Sequence, residues 1–166
     1  MTTSESTGLC WAIKHSFVHY ISRMPDGRGQ VSGGARPLGG GGILFEIDTE
    51  PPQAPEDLDT LYAFRGDVRF AGHHGMLFVR IADPWIEVRE GSAVVTVADP
   101  YDRDDEPRLP LVRVELPEPV RDGGLDIWTI QQVRLTPQGC GLFNDVYQPG
   151  EPFEPIVFAL PAGARA

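Results

Sequence analysis

Lysine is almost missing from this sequence: Lys14 is the only one among 14 basic residues, which stand against 24 acidic residues. The resulting formal charge of −10 excludes the basic stripe that a nucleic-acid partner requires, and it disfavours docking on anionic lipid. No apolar run approaches the length of a membrane span. We therefore expect neither nucleic-acid binding nor membrane insertion.

Signals of export and of redox chemistry are also scarce. Residues 1–7 contain neither the basic nor the apolar segment of a signal peptide, so with Met1 as the start we expect a cytoplasmic protein. There, Cys10 and Cys140 are expected to be free thiols, and they form no recognisable metal motif. The glycine-rich segment 27–42 lacks the lysine of a phosphate loop and is interpreted as a flexible hairpin connection.

What the sequence does contain indicates a β-rich fold. The 166 residues, 41% of them hydrophobic, suffice for one core, and 19 Gly with 16 Pro imply many turns. We expect a disordered terminus over 1–7, one domain over 8–162 and a tail over 163–166. Strands are predicted over 43–47, 61–70, 76–81, 85–88, 93–98, 111–116, 125–135 and 155–160, with acidic loops over 49–59 and 101–110. The pattern favours a mainly β, antiparallel sandwich or barrel-like domain with one short N-terminal helix.

That helix is predicted from an apolar period near the N-terminus. The apolar positions are Trp11, Phe17, Val18, Ile21 and Met24. The helix is expected to end by Met24, because Pro25 and Gly27 break it. Ser16 and Tyr20 are four residues apart and share one face. On this stretch alone, Tyr20 has the ordinary interpretation of a packed ring with a solvated hydroxyl.

The four histidines fall into two pairs. His15 and His19 have the i, i+4 spacing by which a helix presents two imidazoles to a metal, but the glutamate of the zinc-peptidase motif is missing. His73 and His74 lie on a predicted tight turn over 71–75, where Gly72 and Gly75 are expected to supply unusual dihedral angles. One hypothesis is a metal site built from His15, His19 and one of His73 or His74.

Three stretches together resemble a known family. The first stretch, residues 11–21, contains Trp11, Lys14, Ser16-Phe17 and Tyr20. The second, residues 66–77, contains Gly72-His73-His74-Gly75 and is followed by Asp83-Pro84-Trp85-Ile86. The third contains Leu135-Thr136-Pro137-Gln138-Gly139, Phe143, Tyr147, Gly150 and a strand over 156–160. In this order and spacing they resemble the HtaA domain family, the haem-binding modules of actinobacterial haem-uptake proteins. The resemblance covers almost the whole chain.

The resemblance implies a single haem-binding domain over 8–162 and a role for each matching residue. Tyr20 corresponds to the axial ligand of the haem iron, and Ser16 to its supporting serine. His73 corresponds to the histidine of the Gly-His-x-Gly turn, which is expected to hydrogen-bond the ligating phenolate. His74 occupies the variable position of that turn. The implied cofactor is ferric haem b.

The chemistry of such a site is coherent. Ferric iron binds the phenolate form of tyrosine, and an N–H donor from His73 would stabilise and orient that anion. Phe17 and Phe70, together with Trp11, Met76 and Phe78, are candidates to line the apolar macrocycle. Arg36, Arg69 and Arg80 are candidates to bind the propionates.

Two functions follow as expectations. The first is a haem-binding protein for transfer or storage, with haem itself and a haem donor or acceptor protein as partners. The alternative is a haem-dependent enzyme that uses an open distal site on a small nitrogen-containing or peroxide substrate. The oligomeric state is left open, a dimer included.

Overall fold

A computed structural model of the protein describes residues 7–51, 55–100 and 108–163. The predictions for residues 1–6, for parts of the two acidic loops (52–54 and 101–107) and for residues 164–166 of the tail lie outside the described residues.

Within these ranges the chain forms short strands joined by tight turns. The helical segments are α1 (His15–Arg23), the one-turn helix α2 (Pro137–Cys140) and two 3₁₀ turns (His73–Gly75 and Gly141–Phe143). The strands are β1 (Gly8–Trp11), β2 (Arg28–Ser32), β3 (Ala35–Pro37), β4 (Ile43–Ile47), β5 (Thr60–Arg65), β6 (Asp67–Gly72), β7 (Leu77–Ala82), β8 (Trp85–Arg89), β9 (Ser92–Ala98), β10 (Arg108–Val114), β11 (Val120–Asp122), β12 (Leu125–Ile130), β13 (Val133–Leu135) and β14 (Ile156–Pro161).

Most strands belong to one curled antiparallel sheet that forms a half-barrel. Its order is β11-β12-β14-β1-β4-β5-β8-β9-β10-β13, with β3 paired to β4, and β2, β6 and β7 form a separate three-stranded sheet. The prediction of a mainly β fold with a short N-terminal helix is confirmed. Since β1 lies between β14 and β4, the segment that leads into α1 is held inside the larger sheet.

The assignment of Trp11 to the helix is wrong. Trp11 ends β1, where it pairs with Ile156 and Ile43, and it is only 1% exposed. The chain turns between strand and helix at Ile13, whose φ of 65° is left-handed although its side chain is fully buried. A left-handed conformation costs a branched residue about 1–2 kcal/mol, so the surrounding contacts must hold this turn in place.

The predicted strand over 61–70 is two strands that belong to different sheets. The break is Gly66, with a φ of 152°, where an added Cβ would lie 2.6 Å from the Cβ of Ala35. Only glycine fits such a close approach, and the chain uses it to leave β5 for β6.

Other boundaries also differ from the predictions. The strand expected over 125–135 is interrupted between Ile130 and Val133, and the glycine-rich connection contains β2 and β3. Leu142 and Phe143 lie in a 3₁₀ turn that follows α2, a helix the sequence interpretation did not include. The side-chain oxygen of Thr136 caps α2 by accepting the N–H of Gly139 at 2.8 Å.

The core contains a cluster of aromatic rings between the strands of the larger sheet. Trp128 on β12 stacks on Phe158 of β14 with ring centroids 4.6 Å apart, and Tyr62 and Phe64 of β5 pack against Phe158.

Among the described residues, neither helix has the length and apolar character that crossing a bilayer requires.

Candidate functional site

Helix α1 carries Tyr20, and the C-terminal segment of the chain fixes where it starts. The carboxylate of Glu154 accepts the His15 N–H at 3.0 Å, while the main-chain N–H of Glu154 donates to the Ile13 carbonyl at 2.9 Å. The Trp11 indole N–H donates to the Glu154 carbonyl at 2.9 Å. The first bond satisfies a free N–H of the first turn from outside the helix, and the other two hold the residues before the helix against Glu154.

Lys14, the only lysine of the chain, adds a fourth connection to the same segment. It is buried; its Nζ donates to the Pro152 carbonyl at 2.9 Å and forms an ion pair with Glu151 at 3.1 Å. The ammonium also lies over the rings of Tyr147 and Phe153, at 5.1 and 5.3 Å from their centroids. The start of α1 is therefore tightly bound to residues 151–154.

The amphipathic pattern of α1 separates a packing face from a solvent face. Phe17 and Ile21 are buried, and the Phe17 ring packs edge-on against Phe70 at 5.3 Å and against Phe143 at 5.2 Å. Tyr20 points away from this core and is 50% exposed. The core thus anchors the helix and leaves the phenol available to a ligand.

Tyr20 meets His73 at the surface. The phenolic oxygen of Tyr20 and Nε2 of His73 are 2.6 Å apart, which makes a short hydrogen bond. With a neutral imidazole protonated on Nδ1, the phenol donates to Nε2; with a phenolate, the oxygen accepts the Nε2–H. This pair is the contact that the resemblance implies between the two motifs.

The turn that presents His73 differs in detail from the sequence prediction. Gly75 has a positive φ of 85°, as expected, but Gly72 is extended, and the other left-handed residues are His73 (φ 50°) and His74 (φ 56°). An added Cβ on Gly72 would lie 2.5 Å from Sδ of Met24, in the flexible end of that side chain. Helix α1 and the turn therefore approach each other closely at this point.

Asp26 stabilises this turn. Its carboxylate accepts the main-chain N–H of His74 at 2.6 Å, and this bond holds the pKa of the Asp26 carboxyl below its usual range. The imidazole of His74 also lies near the same carboxylate, with Nδ1 at 4.0 Å, rather than near Tyr20. His74 thus takes part in the turn through its main chain.

The remaining predicted site residues fall into two groups. Ser16 is exposed one turn before Tyr20, and its hydroxyl makes no hydrogen bond to any described residue. Phe17 and Phe70, with 5% and 6% exposed, belong to the core together with Trp11, so they support α1 from below and do not form an open surface. The exposed apolar side chains near the turn are Met76, 86% exposed, and Phe78, 50% exposed.

The predicted propionate-binding arginines are separated by the fold. Arg69 and Arg80 sit opposite each other on β6 and β7, and both bind the Asp67 carboxylate, at 3.0 Å and 2.9 Å. Arg36 lies on β3 and lines a different groove, with Thr7 and Glu46. None of the three borders the groove beside His73.

The hypothesis of a histidine metal site is wrong for the part of the chain that the structure describes, where no three His, Cys, Asp or Glu side chains converge. His15 faces Glu154, with Nε2 at 3.8 Å, and the main chain of His74 is bound to Asp26. Sequence reasoning missed Glu154 and Asp26, which position the two halves of the site. For Asp26 a signal was present, since a carboxylate in a Pro-Asp-Gly turn commonly accepts main-chain N–H groups.

Comparison with known proteins gives the following matches. The model of the HtaA family, described as Htaa, matches residues 6–159. The N-terminal domain of HtaA from Corynebacterium glutamicum is similar in structure, with a TM-score of 0.74 and 22% identity over 98% of this chain and 100% of that domain. Heme binding protein HtaB from the same organism has a TM-score of 0.68 and 17% identity, over 93% of this chain and 92% of HtaB.

The C-terminal domain of HtaA from Corynebacterium glutamicum is also similar, with a TM-score of 0.65 and 22% identity over 92% of this chain and 96% of that domain. No curated protein matches the chain. At these identities the solved structures establish that the fold is shared.

Proposed function

The chain belongs to the HtaA family, and on that premise we propose that it binds haem at Tyr20, with the phenolate oxygen as axial ligand. The observation that carries the proposal is the 2.6 Å contact between the phenolic oxygen of Tyr20 and Nε2 of His73 on an accessible surface. A structural neighbour, HtaB, is named a heme binding protein, which supports the same ligand for this chain.

The residues at the site fit this cofactor. When bound, ferric haem b supplies a hard Lewis-acidic iron, for which an anionic oxygen is a suitable ligand. Tyr20 offers that oxygen from a helix held on a packed core, and its half-exposed ring leaves the oxygen open to approach. Met76 and Phe78 expose apolar surface beside the His73 turn, as an apolar macrocycle requires.

His73 is a positioning residue in this proposal. Its Nε2–H donates to the phenolate, which favours the anionic form and fixes the direction of the remaining lone pairs. The turn held by Asp26 keeps the imidazole in place, and the Phe17–Phe70 contact keeps α1 in place. Two elements distant in sequence thus hold one oxygen atom in a defined orientation.

We propose that the biological role is haem transfer or storage. A ligand residue that is half exposed and borders an open surface allows haem to enter and leave without a large rearrangement of the core. Exchange with a haem donor or acceptor protein would then take place on the face that carries Tyr20 and Met76.

Titration with ferric haem, followed by absorption spectroscopy, tests the proposal. Wild-type protein is expected to bind haem with the spectrum of a tyrosinate-ligated ferric iron, and Tyr20→Ala and Tyr20→Phe are expected to lose that spectrum. Tyr147→Phe is the matched control, because Tyr147 packs against Phe143 and Phe153 and not at the site. Retention of the tyrosinate spectrum by both Tyr20 variants would refute the assignment of the ligand.

A further inference from the structure

Five arginines of the described residues are paired with acids. The pairs are Arg65 with Glu46, Arg69 and Arg80 with Asp67, Arg89 with Asp57, and Arg121 with Asp126. Arg23 and Arg28, like Arg36 and Arg113, form no hydrogen bond or ion pair with any other residue that the structure describes. Arg23 and Arg28 are the two of these four that belong to the elements beside Tyr20 and His73. In a chain with 24 acidic and 14 basic residues, two unpaired guanidinium groups close to one tyrosine call for an explanation.

Both arginines belong to elements that carry or adjoin the Tyr20–His73 pair. Arg23 is three residues after Tyr20 in α1, so the two side chains are neighbours on one helix face. Arg28 begins β2 and pairs with Ala71, two residues before His73, a displacement of about 7 Å along the strand. The two side chains thus start from backbone positions on α1 and β2 that flank the site.

Arg28 also lines a groove that reaches the His73 turn. The groove has a volume of about 320 Å³, and Ala71, Gly72, His74 and Gly75 form its wall on both sides of His73. Asp26 is its acidic residue, but that carboxylate already accepts the His74 N–H. Arg28 is therefore the group in this groove that remains free to bind an anion.

We propose that Arg23 and Arg28 form the carboxylate-binding part of the Tyr20 site and receive the two propionates of haem. This inference rests on the proposed function. A guanidinium binds a carboxylate through two parallel N–H donors, and its charge would offset that of the propionates in a strongly acidic protein. Arg69 and Arg80 are unsuitable because Asp67 already occupies them.

The test compares ferric haem with its dimethyl ester, in which both propionates are neutral. Wild-type protein is expected to bind the free acid more tightly than the ester. In the double variant Arg23→Gln/Arg28→Gln, affinity for the free acid should fall by about tenfold, as expected for two exposed ion pairs, while affinity for the ester stays unchanged. Arg23→Lys/Arg28→Lys should recover part of the loss, because the charge is kept and the paired donors are not.

Arg36→Gln is the matched control, since it removes the same charge from an exposed arginine that lines a separate groove. It should bind both porphyrins as the wild type does. A double variant that keeps the wild-type preference for the free acid, with haem still bound through Tyr20, would overturn the inference alone. Failure of the wild type to bind either porphyrin would overturn the proposed function and this inference with it.

Discussion

The phenolic oxygen of Tyr20 and Nε2 of His73 are 2.6 Å apart although 53 residues separate them in the sequence. Each comes from an element with its own support: the start of α1 is bound to Glu154 through the His15 N–H, and the His73 turn is held by Asp26. The short distance is therefore a property of how two supported elements meet. Changes to either support should alter the site without removing any group that touches a ligand.

His73→Ala is expected to leave haem bound but to weaken it by about tenfold. A tenfold loss of affinity is near the lower end of what the loss of a hydrogen bond to a charged group costs, because both side chains are exposed. His74→Ala is the matched control and should bind as the wild type does, since the hydrogen bond to Asp26 comes from the main chain of His74, which alanine keeps. Haem titration of both variants measures the difference; the reverse order of affinities would mean that the turn is aligned one residue out.

Gly66→Ala is expected to lower the free energy of unfolding by about 3 kcal/mol, from an unfavourable dihedral angle and a clash with Ala35. Gly141→Ala is the control, because its φ is −63° and an added Cβ meets nothing within 4 Å. Urea denaturation of the two variants provides the measurement. Equal stability of the variants would contradict the role given to Gly66 at the junction of β5 and β6.

Asp67 gives an expected dependence of stability on pH. Burial raises the pKa of its carboxyl, but hydrogen bonds from Arg69 and Arg80 outweigh burial and hold the pKa below its ordinary value of 3.8. A carboxyl with a lower pKa in the folded state stabilises the protein at neutral pH, and this contribution is lost as the pH falls through the folded-state pKa.

Asp67→Asn should therefore lower Tm at pH 7 by roughly 2–4 °C, for a contribution of about 1 kcal/mol. The difference between variant and wild type should persist down to about pH 5 and vanish in stronger acid. Thermal unfolding at several pH values measures it. A difference that grows as the pH falls would show the opposite sign of the linkage.

Features set by local sequence were predictable. The apolar period of α1 and the breaker at Pro25 predict a helix that ends by Met24, and the helix ends at Arg23. The proximity of Tyr20 to His73 came from the resemblance of two motifs, because no period relates residues so far apart. The break at Gly66 was not predicted, since a strand interrupted by one glycine has the same alternation as a continuous strand.

Residues whose role depends on tertiary contacts could not be assigned. Phe17 and Phe70 are aromatic and lie next to the motifs, yet whether such a ring faces a cofactor or the core depends on what packs against it, here Phe143. The same holds for Arg28, which is distinguished from Arg69 only by the absence of a described acidic partner. Ion pairing between strands cannot be read from one sequence.

Because Glu154 anchors the start of α1, the support of Tyr20 depends on a segment that is translated much later than Tyr20 itself. Trp11, Ile13 and His15 each bond to this one residue, and β1 requires β14 as a neighbour. During translation α1 leaves the ribosome more than 130 residues before these partners do. A nascent chain therefore holds Tyr20 on an unanchored segment until Glu154 and β14 have been synthesised, and such distant pairings form slowly. The orientation of Tyr20 thus depends on a segment that is translated more than 130 residues after it.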